Sequence, residues 1–128
     1  MTATSYHVVL VVDDAEDCRT TLGIAIEALP GVVIRSAANA EDGLALLERE
    51  NVDAVITDLH LPAMTGLELI ARIRGQDRFR SLPILAVSAA TDPATPKAAL
   101  ASGANAFFPK PFSPVAVRRK LEELIYGS

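Results

Sequence analysis

Two hydrophobic rhythms alternate along this chain. The first is a set of short, continuous apolar runs: Val8–Val12 (VVLVV), Val32–Ile34, Ala54–Ile56, Pro83–Ser88 (PILAVS) and Ala106–Phe108. Runs of this length bounded by turn residues read as strands buried on both faces. Between them, apolar residues return every three or four positions, the spacing of a helix with one buried face. Leu22, Ile26 and Leu29, with Ala25 beside them, mark a first helix from Glu16 that Pro30-Gly31 stop. Asn39 is a good N-cap for a helix Ala40–Glu50 with Leu44 and Leu47 on one face. Thr65-Gly66-Leu67-Glu68 has the form of a capping box, and Leu67, Ile70, Ala71 and Arg74 would line the face of the helix that follows, up to Gly75. Thr95-Pro96 predict a short helix Lys97–Ser102 ended by Gly103. Ser113-Pro114 start the last helix, with Val117, Leu121, Leu124 and Ile125 as its buried stripe.

The order is strand then helix, five times over. Fully apolar strands separated by amphipathic helices imply an α/β protein: a parallel sheet with helices on both faces. In any such arrangement the C-terminal ends of the strands share one edge, and that edge is where open α/β sheets present their chemistry.

Here the edge is charged. The first strand ends on Asp13-Asp14, the third on Asp58, the fourth on Ser88, and Lys110 follows the fifth. A polar strand end is ordinary by itself, because it meets solvent; three acids opposite one lysine are not. Two carboxylates about 5 Å apart at an effective dielectric near 20 repel by roughly 3 kcal/mol. Three therefore call for a cation or large pKa shifts. Lys110 supplies one positive charge, and a divalent ion with oxygen ligands fits the remainder. Magnesium suits a shallow site of one or two carboxylates, waters and a phosphoryl oxygen. A metal, a lysine and a hydroxyl around one carboxylate make a device for phosphoryl transfer, with Asp58 the nucleophile and Asp13 and Asp14 metal ligands, directly or through water.

Composition narrows the picture a little. A length of 128 residues fits one domain, and an apolar fraction of 50% supplies a core. The net charge of −4 argues against a general nucleic-acid surface. The single cysteine, Cys18, cannot form an internal disulfide, which is compatible with a reducing compartment; packing is the expected role for it. Met1–His7 has no signal-peptide pattern, and no apolar run approaches a membrane span.

Asp13-Asp14 after VVLVV, Asp58 in TDLHLPAMTG, Ser88 in LAVSAA and Lys110-Pro111 in FFPKPF together resemble a response-regulator receiver domain of the CheY-like kind. Each motif alone is weak; all four in order at strand ends are specific. The resemblance treats residues 1–128 as a single receiver domain with a core of about residues 7–126. It implies a flavodoxin-like (βα)5 fold with strand order 2-1-3-4-5, a Mg2+ cofactor, and a cytoplasmic signalling switch rather than an enzyme. Asp58 would be the phosphoacceptor, fed by a histidine kinase or a histidine phosphotransfer protein. Asp14, Asp58 and the backbone carbonyl of His60 would bind the metal directly, and Asp13 mainly through water. Ser88 and Lys110 would contact the phosphoryl group, and Lys110-Pro111 would be a cis peptide.

The resemblance also implies a switch, in which Ser88 moves toward the phosphoryl group and Phe107 follows. Phe107 stands where tyrosine is common, so switching would rest on packing alone; Phe107 as plain core is the alternative. The output surface would be the fourth helix, fifth strand and fifth helix, bounded by Lys97, Phe107 and Arg118-Arg119-Lys120, although that basic trio reads first as a solvated helix end. A downstream protein or output domain would read it, and a phosphorylation-dependent homodimer is compatible with it. Neither direct nucleic-acid binding nor membrane association is expected. Thr65 replaces a frequent Asp or Asn with little expected effect. His60 would place its side chain beside the acceptor and influence water access. Ala89 and Ala90 would leave the site mouth uncrowded, and Thr91–Pro96 would form a stiff loop. A free-standing receiver fits the chain, and so does a receiver from a larger response regulator with a DNA-binding output, or from a hybrid histidine kinase. A metal-dependent hydrolase commonly carries a second acid two residues after the nucleophile, where this chain has His60. A silent receiver-like scaffold would have lost an acid, Ser88 or Lys110, and none is lost.

Overall fold

The computed structural model describes residues 7–89 and 92–127. Its elements are β1 (His7–Val12), α1 (Glu16–Glu27), β2 (Val32–Ala37), α2 (Ala40–Arg49), β3 (Ala54–Thr57), α3 (Gly66–Arg74), β4 (Ile84–Ser88), α4 (Ala94–Ser102), β5 (Ala106–Pro109) and α5 (Pro114–Tyr126), with one 3-10 turn at Asp77–Phe79. The five strands form one sheet in the order β2-β1-β3-β4-β5, and every pairing is parallel. This is the flavodoxin-like order.

The two faces of the sheet follow from the two-residue period of a strand. Leu10, Val12, Val55, Ile84 and Ala86 point to one side, where Leu46 and Leu47 of α2, Leu69, Ile70 and Ile73 of α3, and Ala99 of α4 cover them. Val9, Val11, Ala54, Ile56, Leu85 and Val87 point to the other, under Leu22 and Ile26 of α1 and Val117 and Leu121 of α5. The central strands β3 and β4 are buried along their whole length, which is why they carry no polar alternation in the sequence.

Local signals fix most helix starts. Asn39 accepts a hydrogen bond from the Asp42 amide, and Ser113 accepts one from the Ala116 amide. Thr65 and Glu68 close the capping box of α3 in both directions. Four expectations need correction. Helix α4 begins at Ala94, not Lys97: the Asp92 carboxylate takes the Ala94 N–H at 2.9 Å, and Pro96 sits in the first turn, where an N–H has no helical partner to lose. On α3 the packed residues are Leu69, Ile70 and Ile73, while Ala71 is exposed. Helix α1 closes at Glu27, before Pro30-Gly31, and Leu29 is buried beyond its end. Strand β2 continues to Ala37 through exposed Arg35 and Ser36, as an edge strand allows. Ala90 and Thr91, named above for the site mouth and the loop before α4, lie outside the described residues.

Sheet hydrogen bonding runs one residue past the strand ends. The Asp13 amide donates to Ala37 O at 3.0 Å, the Asp58 amide to Val12 O at 2.9 Å, and the Lys110 amide to Ser88 O at 2.9 Å. Three side chains of the charged edge are therefore launched from backbone that the sheet itself holds.

Candidate functional site

Asp58 follows the buried run of β3 and is itself only 6% exposed. Its carboxylate is held at both oxygens. Oδ1 accepts from the His60 backbone N–H at 2.9 Å and from the Ser88 hydroxyl at 2.8 Å. Oδ2 accepts from Lys110 Nζ at 2.8 Å. Lys110 reaches Asp58 and Asp13 together, with Asp13 Oδ2 at 2.9 Å. Asp13, 2% exposed, turns its other oxygen to the Ala15 amide at 2.9 Å. The Lys110–Pro111 peptide is cis.

This arrangement sets the protonation states. Burial alone would push the Asp58 carboxyl up. The hydrogen bonds from Lys110, the His60 amide and Ser88, with the charge of Lys110, outweigh that and hold it below the ordinary carboxylate value. Burial likewise works against the charged Lys110 ammonium, but its bonds to Asp58 and Asp13 raise it above the usual lysine value. Asp58 is thus an ionised, desolvated carboxylate, and Lys110 is a fixed cation against it. Cys18, on the first turn of α1, is driven the other way. Burial, then a hydrogen bond to Asp13 and the charge of Asp13, push its thiol up to about 12.

One carboxylate oxygen each from Asp13, Asp14 and Asp58 lie within 4.8 Å of one another. Asp14 is exposed, and Lys110 bonds only to the other two. The trio is all-oxygen and carries two negative charges beyond what Lys110 offsets. The donor set and charge fit a hard divalent cation such as Mg2+.

The expected residues Asp13, Asp14, Asp58, Ser88 and Lys110 therefore converge on one edge of the sheet, with Ser88 fully buried. Phe107 lies apart from the charges. It is half-buried on the face covered by α2–α4, whereas Phe108 packs on the opposite face. Two contacts were not read from sequence. Arg19 donates from Nη1 to the Asp13 carbonyl at 2.6 Å, tying α1 to the acidic loop. The His60 ring, 72% exposed, places Nδ1 2.8 Å from Ser88 Oγ. Arg19 gave only a weak signal, a cation in the first turns of the helix that follows the acid pair. Two grooves flank the carboxylates. One of about 300 Å³ lies between Asp17, Cys18 and Thr21 of α1 and Lys110-Pro111-Phe112. The other, about 310 Å³, lies between Leu59-His60 and the start of α4.

Sheet order and acidic edge together define a response regulator receiver domain. The model of that family matches residues 9–122, and the chain belongs to it. It is 32% identical over 117 residues to a chemotaxis protein CheY homolog of Campylobacter jejuni, covering 91% of this chain and 90% of the relative. Among solved structures, a response regulator receiver protein from Pseudomonas putida shares 30% identity with a TM-score of 0.81, over 98% of this chain and 100% of that one. The chemotaxis response regulator CheY4 of Vibrio cholerae shares 28% with a TM-score of 0.84, over 94% and 99%. Receiver domains are signalling switches that interact with histidine kinases and downstream targets. Among the described residues no helix is long and apolar enough to cross a membrane.

Proposed function

We propose that this chain is a phosphorylation-controlled switch in which Asp58 accepts a phosphoryl group from a histidine kinase or histidine phosphotransfer protein. The observation that carries the reading is the Asp58 carboxylate itself. It is ionised and nearly buried, it takes donors from Ser88 and Lys110, and it stands within reach of two further acids. An Asp58 oxygen bonds to phosphorus as the bond from phosphorus to the donor nitrogen breaks. The electron pair stays with the donor histidine, and the product is an acyl phosphate.

Lys110 and Ser88 turn their donors from the carboxylate to the phosphoryl oxygens, where preorganised donors count most. Asp13, Asp14, Asp58 and the His60 carbonyl would hold Mg2+, with Asp13 acting mainly through water. Bound there, the ion supplies positive charge to the carboxylates and the phosphoryl oxygens. The groove along α1 and Phe112 opens beside Lys110 and is the side we assign to the donor protein. Ser88 and the half-buried Phe107 would carry the change toward α4, β5 and α5, where exposed Lys97 and Leu100 offer a surface to a downstream partner or output domain. In the reverse half of the cycle a water oxygen bonds to phosphorus as the bond from phosphorus to the Asp58 oxygen breaks, inorganic phosphate leaves, and the electron pair re-forms the Asp58 carboxylate.

The test is intact mass after incubation with acetyl phosphate, with and without magnesium, for wild type and Asp58→Asn. The reading expects a gain of one phosphoryl group that needs both Mg2+ and Asp58. A gain in Asp58→Asn, or none in wild type from acetyl phosphate or a phosphorylated kinase, would refute it.

A further inference from the structure

The His60 side chain is the polar group near Asp58 to which the proposed transfer gives no task. Its geometry is specific. Ser88 Oγ lies 2.8 Å from Asp58 Oδ1 and 2.8 Å from His60 Nδ1. A hydroxyl has one proton to donate, and an ionised carboxylate only accepts. The proton of Ser88 therefore goes to Asp58, and Ser88 Oγ accepts from a proton on His60 Nδ1. This leaves Nε2 as the ring atom facing solvent. The same residue also grips Asp58 through its backbone N–H at 2.9 Å. His60 thus holds both members of the Ser88–Asp58 pair, one with its main chain and one with its ring.

Serine has reason to need such a hold. Its unbranched Cβ leaves χ1 freer than that of a β-branched residue. Ser88 sits at the end of β4 with no exposure, and the rotamer it adopts decides whether its hydroxyl faces Asp58. We propose that His60 is the positioning residue for this hydroxyl: its Nδ1–H fixes Ser88 in the rotamer that aims the O–H at the acceptor and at the phosphoryl oxygens arriving there. The inference rests on the reading of Asp58 as the acceptor. It differs from a role in shielding the site from water, which any side chain of similar size would fill.

The experiment has two parts. In the first, the ring nitrogens of His60 are observed by 15N NMR in the unphosphorylated chain, in mildly alkaline buffer where a histidine ring carries one proton. The expected result is a proton on Nδ1 in wild type and loss of that preference in Ser88→Ala. A wild-type ring protonated on Nε2 overturns the proposal. In the second, phosphoryl uptake from acetyl phosphate is timed at saturating magnesium. His60→Asn can place an amide N–H near the position of Nδ1, and His60→Gln near that of Nε2. Uptake by His60→Asn should stay close to wild type, while His60→Gln and His60→Ala slow by about two- to tenfold, the worth of one net hydrogen bond. Equal rates in all four chains, or rescue by Gln and not by Asn, overturn the proposal. No uptake by wild type, from acetyl phosphate or from a phosphorylated kinase, refutes the acceptor reading and the positioning role with it. That outcome is told apart from a missing hydrogen bond by the nitrogen spectrum, which needs no phosphoryl group.

Discussion

Removing the charge of Asp14 should make the metal-free protein more stable. Asp14 is exposed and bonds to none of the site's described donors, yet its oxygen lies within 4.8 Å of those of Asp13 and Asp58. Lys110 offsets one of the other two charges, so Asp14 faces roughly one net negative charge. At 4.8 Å that repulsion is about 1 kcal/mol at the dielectric of water and about 3.5 at an effective value of 20. Exposure places the pair toward the lower figure. Asp14→Asn is nearly isosteric and should raise unfolding stability in chelator by about 1–2 kcal/mol. In magnesium the order should change. Wild type gains stability as the ion binds the folded chain, by an amount that grows with concentration over the dissociation constant. Asp14→Asn, with a proposed ligand gone, should gain little. The assay is urea denaturation of both chains in chelator and across a magnesium series. An Asp14→Asn chain less stable than wild type in chelator, or one stabilised by magnesium as much as wild type, would refute the picture of a repelling acidic trio.

Other expectations concern the loop beneath the site and its neighbours. A Cβ at Gly66 would lie 2.5 Å from Leu59 Cα and inside contact distance of the Asp58 carbonyl oxygen. Because those are backbone atoms, Gly66→Ala should cost about 2–4 kcal/mol in urea denaturation despite its better helix propensity; a neutral result would contradict the packing. Ala63 has φ of 65°, in the left-handed region, and is exposed. Ala63→Gly should raise stability by up to about 1 kcal/mol, read as a higher urea midpoint, and a lower midpoint would remove the strain argument. The Cys18 thiol is held up to about 12 against an ordinary 9.0. The folded chain keeps that proton after the unfolded chain has lost it, so stability should fall as pH rises through this interval. Iodoacetamide should label native Cys18 far more slowly than the urea-unfolded chain at neutral pH; equal rates would contradict the burial.

What the sequence made legible was whatever depends on neighbours along the chain or on complete burial. Strand β3 announced itself because no position in Ala54–Ile56 is polar, and Asp58 stood out against it. The capping box at Thr65 and Glu68 was legible because both partners lie within one turn. The start of α4 was not, because Asp92 acts two residues ahead of the helix and Pro96 looks like a first residue when it is the third. The face of α3 was ambiguous because Leu67, Leu69, Ile70 and Ile73 offer more than one stripe, and only the position of the sheet selects among them. Arg74 falls on that face by its spacing. Its guanidinium instead binds the carbonyls of Gly103 and Phe79 and the side chain of Asn105, pinning the α4–β5 turn to α3. The contact between His60 and Ser88 joins the loop after β3 to the end of β4 through one ring orientation, which no spacing encodes.

The central claim is that the phosphoryl group goes to Asp58. Borohydride reduces an acyl phosphate of aspartate to homoserine, so peptide mass mapping of the reduced chain locates the modified residue. After incubation with acetyl phosphate and magnesium, homoserine should stand at position 58, and it should be absent when chelator replaces the metal. Homoserine at position 13 or 14, or a phosphoryl group that survives borohydride, would contradict the account.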